Sequence, residues 1–132
     1  MLDPLAKPEK GIASLTADSA HPLKLLFVCS RNRIRSLTAE RIFADVPGWS
    51  VRSAGTQPGA RIVATEGLIR WADVVVAMEK SHLERLRERF PEAMADRESV
   101  VLGIRDEFAA MEPDLIDELK AAMEISFDTG FE

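Results

Sequence analysis

At 132 residues, with 46% hydrophobic and 30% charged side chains, the chain has apolar material for one buried core and too little length for two. A net charge of −5 disfavours nucleic acid as a partner, because releasing counterions from a phosphate backbone takes a basic face. A single cysteine precludes an internal disulfide, one cysteine and two histidines give no zinc-ligand spacing, and the longest apolar runs fall far short of the roughly 20 residues of a membrane span, so the expectation is a soluble cytoplasmic protein without metal, cofactor or membrane partner.

Residues 1–22 scatter Pro4, Pro8, Gly11 and Pro22 among charges with no sustained apolar period, the pattern of a flexible extension; a single folded domain is expected over residues 23–132. Leu25, Leu26, Phe27 and Val28 form a continuous apolar run, suited to a strand covered on both faces in a parallel sheet. Ala39, Ile42, Phe43 and Val46 then share one helical face, and Pro47-Gly48 stops the helix. Further on, the pattern predicts a second strand at 49–54, a short helix at 65–71 and a third buried strand at 72–78, where Val74, Val75 and Val76 are stiff β-branched residues. Leu83, Leu86 and Phe90 mark an amphipathic helix ending before Pro91, a fourth strand fits 100–104, and Pro113 opens a last helix carrying Leu115, Ile116, Leu119 and Met123 on one face. Strands alternating with helices predict an α/β three-layer sandwich around a central four-stranded parallel sheet, with ligands at the carboxyl ends of the strands.

The chemistry concentrates in Cys29-Ser30-Arg31-Asn32-Arg33-Ile34-Arg35-Ser36, between the first strand and the first helix. A loop there aims backbone N–H groups and a helix N-terminus at one point, which makes an anion site. Three arginines ahead of a helix start oppose its dipole, and a bound dianion would compensate them. From Asp106 onward, by contrast, nine acids face only Lys120, so the positive charge is local. The same local field favours the thiolate form of Cys29, the nucleophile for attack on phosphorus, and Arg35 can offer a planar fork to two phosphate oxygens. Standing alone, Cys29 would read as a small buried hydrophobe.

Val-Cys-x5-Arg-Ser after an apolar strand, with Asn32 in the loop, resembles the low-molecular-weight protein tyrosine phosphatases. Ser53-Ala54-Gly55-Thr56 is similar to a segment that follows their second strand, and residues 72–79 resemble their third strand and Met-Asp turn; the likeness spans residues 23–123. It implies a hydrolase of phosphate monoesters, chiefly phosphotyrosine in proteins, acting through a phosphocysteine and releasing inorganic phosphate. Ser30, Arg31, Asn32, Arg33, Ile34 and Arg35 would then form the phosphate-binding loop around Cys29. Asp106, in Ile104-Arg105-Asp106-Glu107-Phe108, would be the general acid, with Glu107 and Asp114 as competitors and Asp73 and Asp96 as weaker ones. The likeness also implies that Asn32 holds the loop in a strained shape, Ser36 hydrogen-bonds Cys29 and Ser53 braces Asn32; Ser36 can equally be an N-cap and Ser53 a turn residue.

This chain departs from the pattern at Ile34, where relatives often carry a second cysteine, at the shortened stretch after Thr56, and in having no tyrosine. Phe108, Gln57 and Arg33 remain as candidates for the pocket rim. Two other activities fit the same loop: reduction of arsenate with an external thiol, and phosphate binding without turnover.

Overall fold

The computed structural model describes residues 21–127, so the extension expected at 1–22 falls, except for His21 and Pro22, outside the described residues. The run read as a first strand extends back to Leu23 and forms β1 (Leu23–Cys29), followed by α1 (Arg35–Phe43), β2 (Trp49–Gly55), α2 (Glu66–Trp71), β3 (Val74–Ala77), α3 (Lys80–Arg89), α4 (Pro91–Ala95), β4 (Glu98–Val101) and α5 (Pro113–Phe127). The four strands form one sheet in the order β2-β1-β3-β4, and every pairing is parallel. This is the expected α/β sandwich.

A strand inside such a sheet must be apolar on both faces, and β1 shows why its sequence does not alternate. Leu23, Leu25, Phe27 and Cys29 point into one core with Phe43 of α1 and Leu115, Leu119 and Met123 of α5. Leu26 and Val28 enter the second core with Ile69 of α2, Leu83 and Leu86 of α3 and Met94 of α4. On β3, Val74 and Val76 join the first core while Val75 and Ala77 join the second. A chain of rings seals the first core near its base, with centroids 5.7 Å apart for Phe27 and Phe43, 5.8 Å for Phe43 and Trp49, and 5.7 Å for Trp49 and Phe127.

Three elements differ from the expectation. Helix α1 stops at Phe43, and Val46 sits in the turn behind it, where its N–H reaches the Phe43 carbonyl at 3.2 Å and Gly48 takes φ 82° into β2. The fourth strand lies two to three residues earlier than expected, with Glu98 and Ser99 opposite Val74 and Val75. An edge strand tolerates those polar residues, and Gly103, at φ 76°, breaks the regular ladder, although the Leu102 and Ile104 N–H groups still reach the Ala77 and Met78 carbonyls at 2.9 and 2.8 Å. Helix α4, one turn opened by Pro91, was not anticipated because five residues carry no readable period. Thr65 caps α2 as its side chain accepts the Leu68 N–H at 3.1 Å.

The carboxyl ends of all four strands converge. Cys29 ends β1, Gly55 ends β2, Glu79 follows β3, and Ile104 and Asp106 follow β4. No helix among the described residues is long and apolar enough to cross a membrane.

Candidate active site

Backbone bonding decides which way the loop of residues 29–35 presents its polar groups. The Cys29 carbonyl accepts from Thr56 N–H at 2.9 Å, Ser30 from Gln57 at 3.0 Å, Arg31 from Arg61 at 3.0 Å, and the Asn32 carbonyl from Arg61 Nε at 3.1 Å. Four successive carbonyls are thereby held by the segment after β2. The N–H groups of residues 30–34, in contrast, have no acceptor among the described residues. Unpartnered amides ahead of a helix N-terminus form a concave nest for an anion.

Two residues let the chain take this path. Asn32 adopts φ 59°, the left-handed conformation that asparagine tolerates, and is fully buried. Gly55 passes so close that a Cβ there would stand 2.5 Å from both the Ser30 carbonyl oxygen and the Ala60 Cβ, so any side chain would push the loop away.

Cys29 is buried, with 3% exposure, at the floor of the loop. Asn32 Nδ2 donates to Ser36 Oγ at 2.7 Å, and Ser36 Oγ lies 3.0 Å from Cys29 Sγ. With the Asn32 amide donating into its oxygen, the Ser36 hydroxyl stands between two further partners, Cys29 Sγ at 3.0 Å and the Ala54 carbonyl at 3.5 Å. Ser36 is not the N-cap: α1 begins at Arg35, and Ile34 occupies the cap position without a side-chain bond. Ser53 does not brace Asn32 directly. Its hydroxyl donates to Glu40 and accepts from Arg61 Nη2 at 3.4 Å, so Arg61 is the bridge between Ser53 and the Asn32 carbonyl.

Arg35 is 4% exposed and its position is fixed by one edge of the guanidinium: Nη1 donates to Glu79 and, at 2.8 Å, to the Ile104 carbonyl. Its Nε lies 3.9 Å from Asp106 Oδ1. Asp106 thus reaches the site from beyond β4 with its side chain 67% exposed. Glu107 turns instead to Arg105, at 3.7 Å, Asp114 sits in the first turn of α5, and Asp73 accepts the Lys24 N–H at 2.9 Å at the other end of the sheet.

These groups surround a cavity of about 370 Å³ lined by Cys29, Ser30, Arg31 and residues 33–35 of the loop together with Gln57 and Asp106. Asn32 is turned inward and does not line it. Phe108, expected at the rim, packs half-buried against the first core. Among the described residues no cluster of His, Cys, Asp and Glu is placed to hold a metal ion.

His82 and Arg61 escaped the sequence reading. The Glu79 N–H donates to His82 Nδ1 at 3.0 Å, so Nε2 carries the ring proton and donates to Ser30 Oγ at 3.1 Å. Burial, and secondarily the charge of Arg35, lowers the His82 pKa to about 4, which keeps the ring neutral and this tautomer in place. The signal available was the spacing of Glu79 and His82, a reciprocal cap at the start of α3. Arg61 follows Ala60 in the shortened stretch and nothing in its neighbours singles it out.

No family model and no curated protein matches the chain. Solved structures do. The tyrosine phosphatase Wzb from Escherichia coli K30, in complex with phosphate, is 22% identical over 83% of this chain and 90% of its own, with a TM-score of 0.61. The YwlE arginine phosphatase from Geobacillus stearothermophilus is 25% identical over 81% and 87%, at 0.53. A low-molecular-weight protein tyrosine phosphatase from T. tengcongensis is 25% identical over 79% and 92%, at 0.51. The chain has the fold of the low-molecular-weight protein tyrosine phosphatases.

Proposed function

We propose that this protein is a cysteine-dependent phosphatase that hydrolyses phosphate monoesters at the cavity over Cys29. The observation that carries the reading is the polarity of the loop: four carbonyls held by residues 56–61, five amides without an acceptor among the described residues, and a buried sulfur beneath them. Substrate phosphate rests in this nest, with two of its oxygens on the Nε and Nη2 edge of Arg35 that Glu79 leaves open. Cys29 Sγ attacks phosphorus in line as the bond to the leaving oxygen breaks, and the loop amides carry the charge on the equatorial oxygens. Asp106 gives its proton to the leaving oxygen. In the second half, the Asp106 carboxylate takes a proton from water as that water displaces sulfur from the phosphocysteine, releasing inorganic phosphate.

Phosphotyrosine in proteins is the substrate that the resemblance favours, and the solved structures of like fold include a tyrosine phosphatase and an arginine phosphatase. The site is contained in the domain from residue 23 onward, which we assign to the cytoplasm. A burst of p-nitrophenol from p-nitrophenyl phosphate, suppressed by vanadate and abolished in Cys29→Ser, with a phosphorylated Cys29 trapped by rapid acid quench and found by mass spectrometry, is the expected result. Turnover that survives in Cys29→Ser would refute the assignment.

A further inference from the structure

The cations around the cavity are not equivalent. Arg35 is buried and matched by Glu79, and Arg61 lies beside Glu40 at 3.8 Å. Arg31 and Arg33 also line the cavity, but both are exposed, and neither makes an ion pair or a side-chain hydrogen bond among the described residues. In a chain of net charge −5, two guanidiniums without a partner among the described residues stand at the mouth of the cavity over Cys29. Besides the arginines and Cys29 the lining is Ser30, Ile34, Gln57 and the single carboxylate of Asp106, which lies 3.9 Å from Arg35 Nε, with no aromatic ring; Phe108 is packed on the core. An aryl leaving group therefore meets no ring to stack on, whereas an anionic one meets two planar donors.

We infer that this mouth is a second anionic subsite, and that the preferred substrates are phosphate monoesters whose leaving group carries another anion, a carboxylate or a second phosphate, gripped by Arg31 and Arg33 while the ester phosphate lies over Cys29. For turnover the inference rests on the phosphatase reading; for binding it does not. Two exposed arginines closing on one carboxylate make charge-assisted forked hydrogen bonds, which corresponds to a preference of about tenfold over a neutral isostere at low salt.

The test uses 4-carboxyphenyl phosphate and its isostere 4-carbamoylphenyl phosphate. The amide withdraws electrons more strongly and gives the better leaving group, so leaving-group chemistry alone would favour the wrong ester. The expected result is a kcat/KM ratio of about ten for carboxylate over amide that shrinks as salt is raised and falls to near one in R31Q/R33Q, with partial retention in R31K/R33K. The readout is the ratio, because both arginines belong to the loop and the rate on either ester will change. Calorimetric binding of the two esters to Cys29→Ser measures the same preference without turnover. Preference in binding with no turnover of either ester would remove the phosphatase reading and leave the subsite standing. Equal kcat/KM and equal affinity for the pair, or a ratio that R31Q/R33Q leaves unchanged, would overturn the subsite. A phosphotyrosine peptide flanked by glutamates, run against its glutamine counterpart, separates the two sources of such an anion: a preference there too supports an acidic protein substrate, and one confined to the small esters supports a metabolite-sized one.

Discussion

The loop over Cys29 and the segment bearing Asp106 meet at one cavity but are held by opposite means. In the loop, Asn32, Arg35 and Ser36 are buried, the carbonyls of residues 29–32 are all bonded, and Gly55 presses against the Ser30 carbonyl. Between Val101 and Pro113 there is no helix or strand, and Asp106 is two-thirds exposed. That segment is fixed at its ends, where Ile104 N–H meets the Met78 carbonyl at 2.8 Å and Met111 N–H meets Thr38 Oγ1 at 3.0 Å. On the proposed reading, anion recognition is thus preorganised, with its ordering completed on folding, while the proposed proton donor rides on a strap with few buried contacts. Binding and proton transfer should then be separable by mutation.

The largest separation is expected from Asp106→Asn. Loss of the acid lowers kcat on an ester with a poor leaving group by about 10²–10⁴-fold, with vanadate inhibition essentially unchanged; a parallel loss of vanadate affinity would show that the strap also builds the anion site. Gly55→Ala attacks the other side of the comparison. Its Cβ would collide with the Ser30 carbonyl, so kcat and vanadate affinity fall together, by about 100-fold, and denaturant melts show a loss of about 1–3 kcal/mol. Normal vanadate affinity in a folded Gly55→Ala protein would mean that the loop is less rigid than its bonding suggests. Arg61→Met removes the donor to the Asn32 carbonyl and the link to Ser53, and should weaken vanadate binding by about tenfold.

The smallest effect concerns pH. His82 refuses a proton until about pH 4, whereas in the unfolded chain it takes one near 6.5. Between those values the unfolded state holds more protons, so this residue's contribution is present above 6.5 and lost as pH falls toward 4. In His82→Gln the decline of the unfolding midpoint over that window should flatten; an unaltered slope would remove His82 from the account.

The motif from Cys29 to Ser36 was legible because a thiol, a forked cation and a strand-to-helix junction lie within one short stretch of sequence and so coincide in space. So was the sheet, since β1 and β3 are apolar on both faces and leave no other placement. Contacts made by side chains distant in sequence were not. Arg61 reaches Asn32 across 29 residues and His82 reaches Ser30 across 52, and neither pairing leaves a local pattern. Gly55 was read as part of a motif, but its close approach to the loop is a property of the assembled sheet. The misplacement of β4 has a local cause: Val100, Leu102 and Ile104 read as one apolar run, and the turn at Gly103 divides it. Phe108 misled in the same way, because an aromatic near the acid can serve the core as readily as the rim.

The Glu79 carboxylate holds Arg35 and at the same time receives the His82 amide as the cap of α3. One side chain therefore joins the guanidinium at the pocket to the start of α3, a helix that packs on the second core. An oxyanion that draws on the guanidinium should then be felt in the first turn of α3, and amide exchange at residues 82–83 is expected to shift with occupancy, a gauge that needs no substrate chromophore.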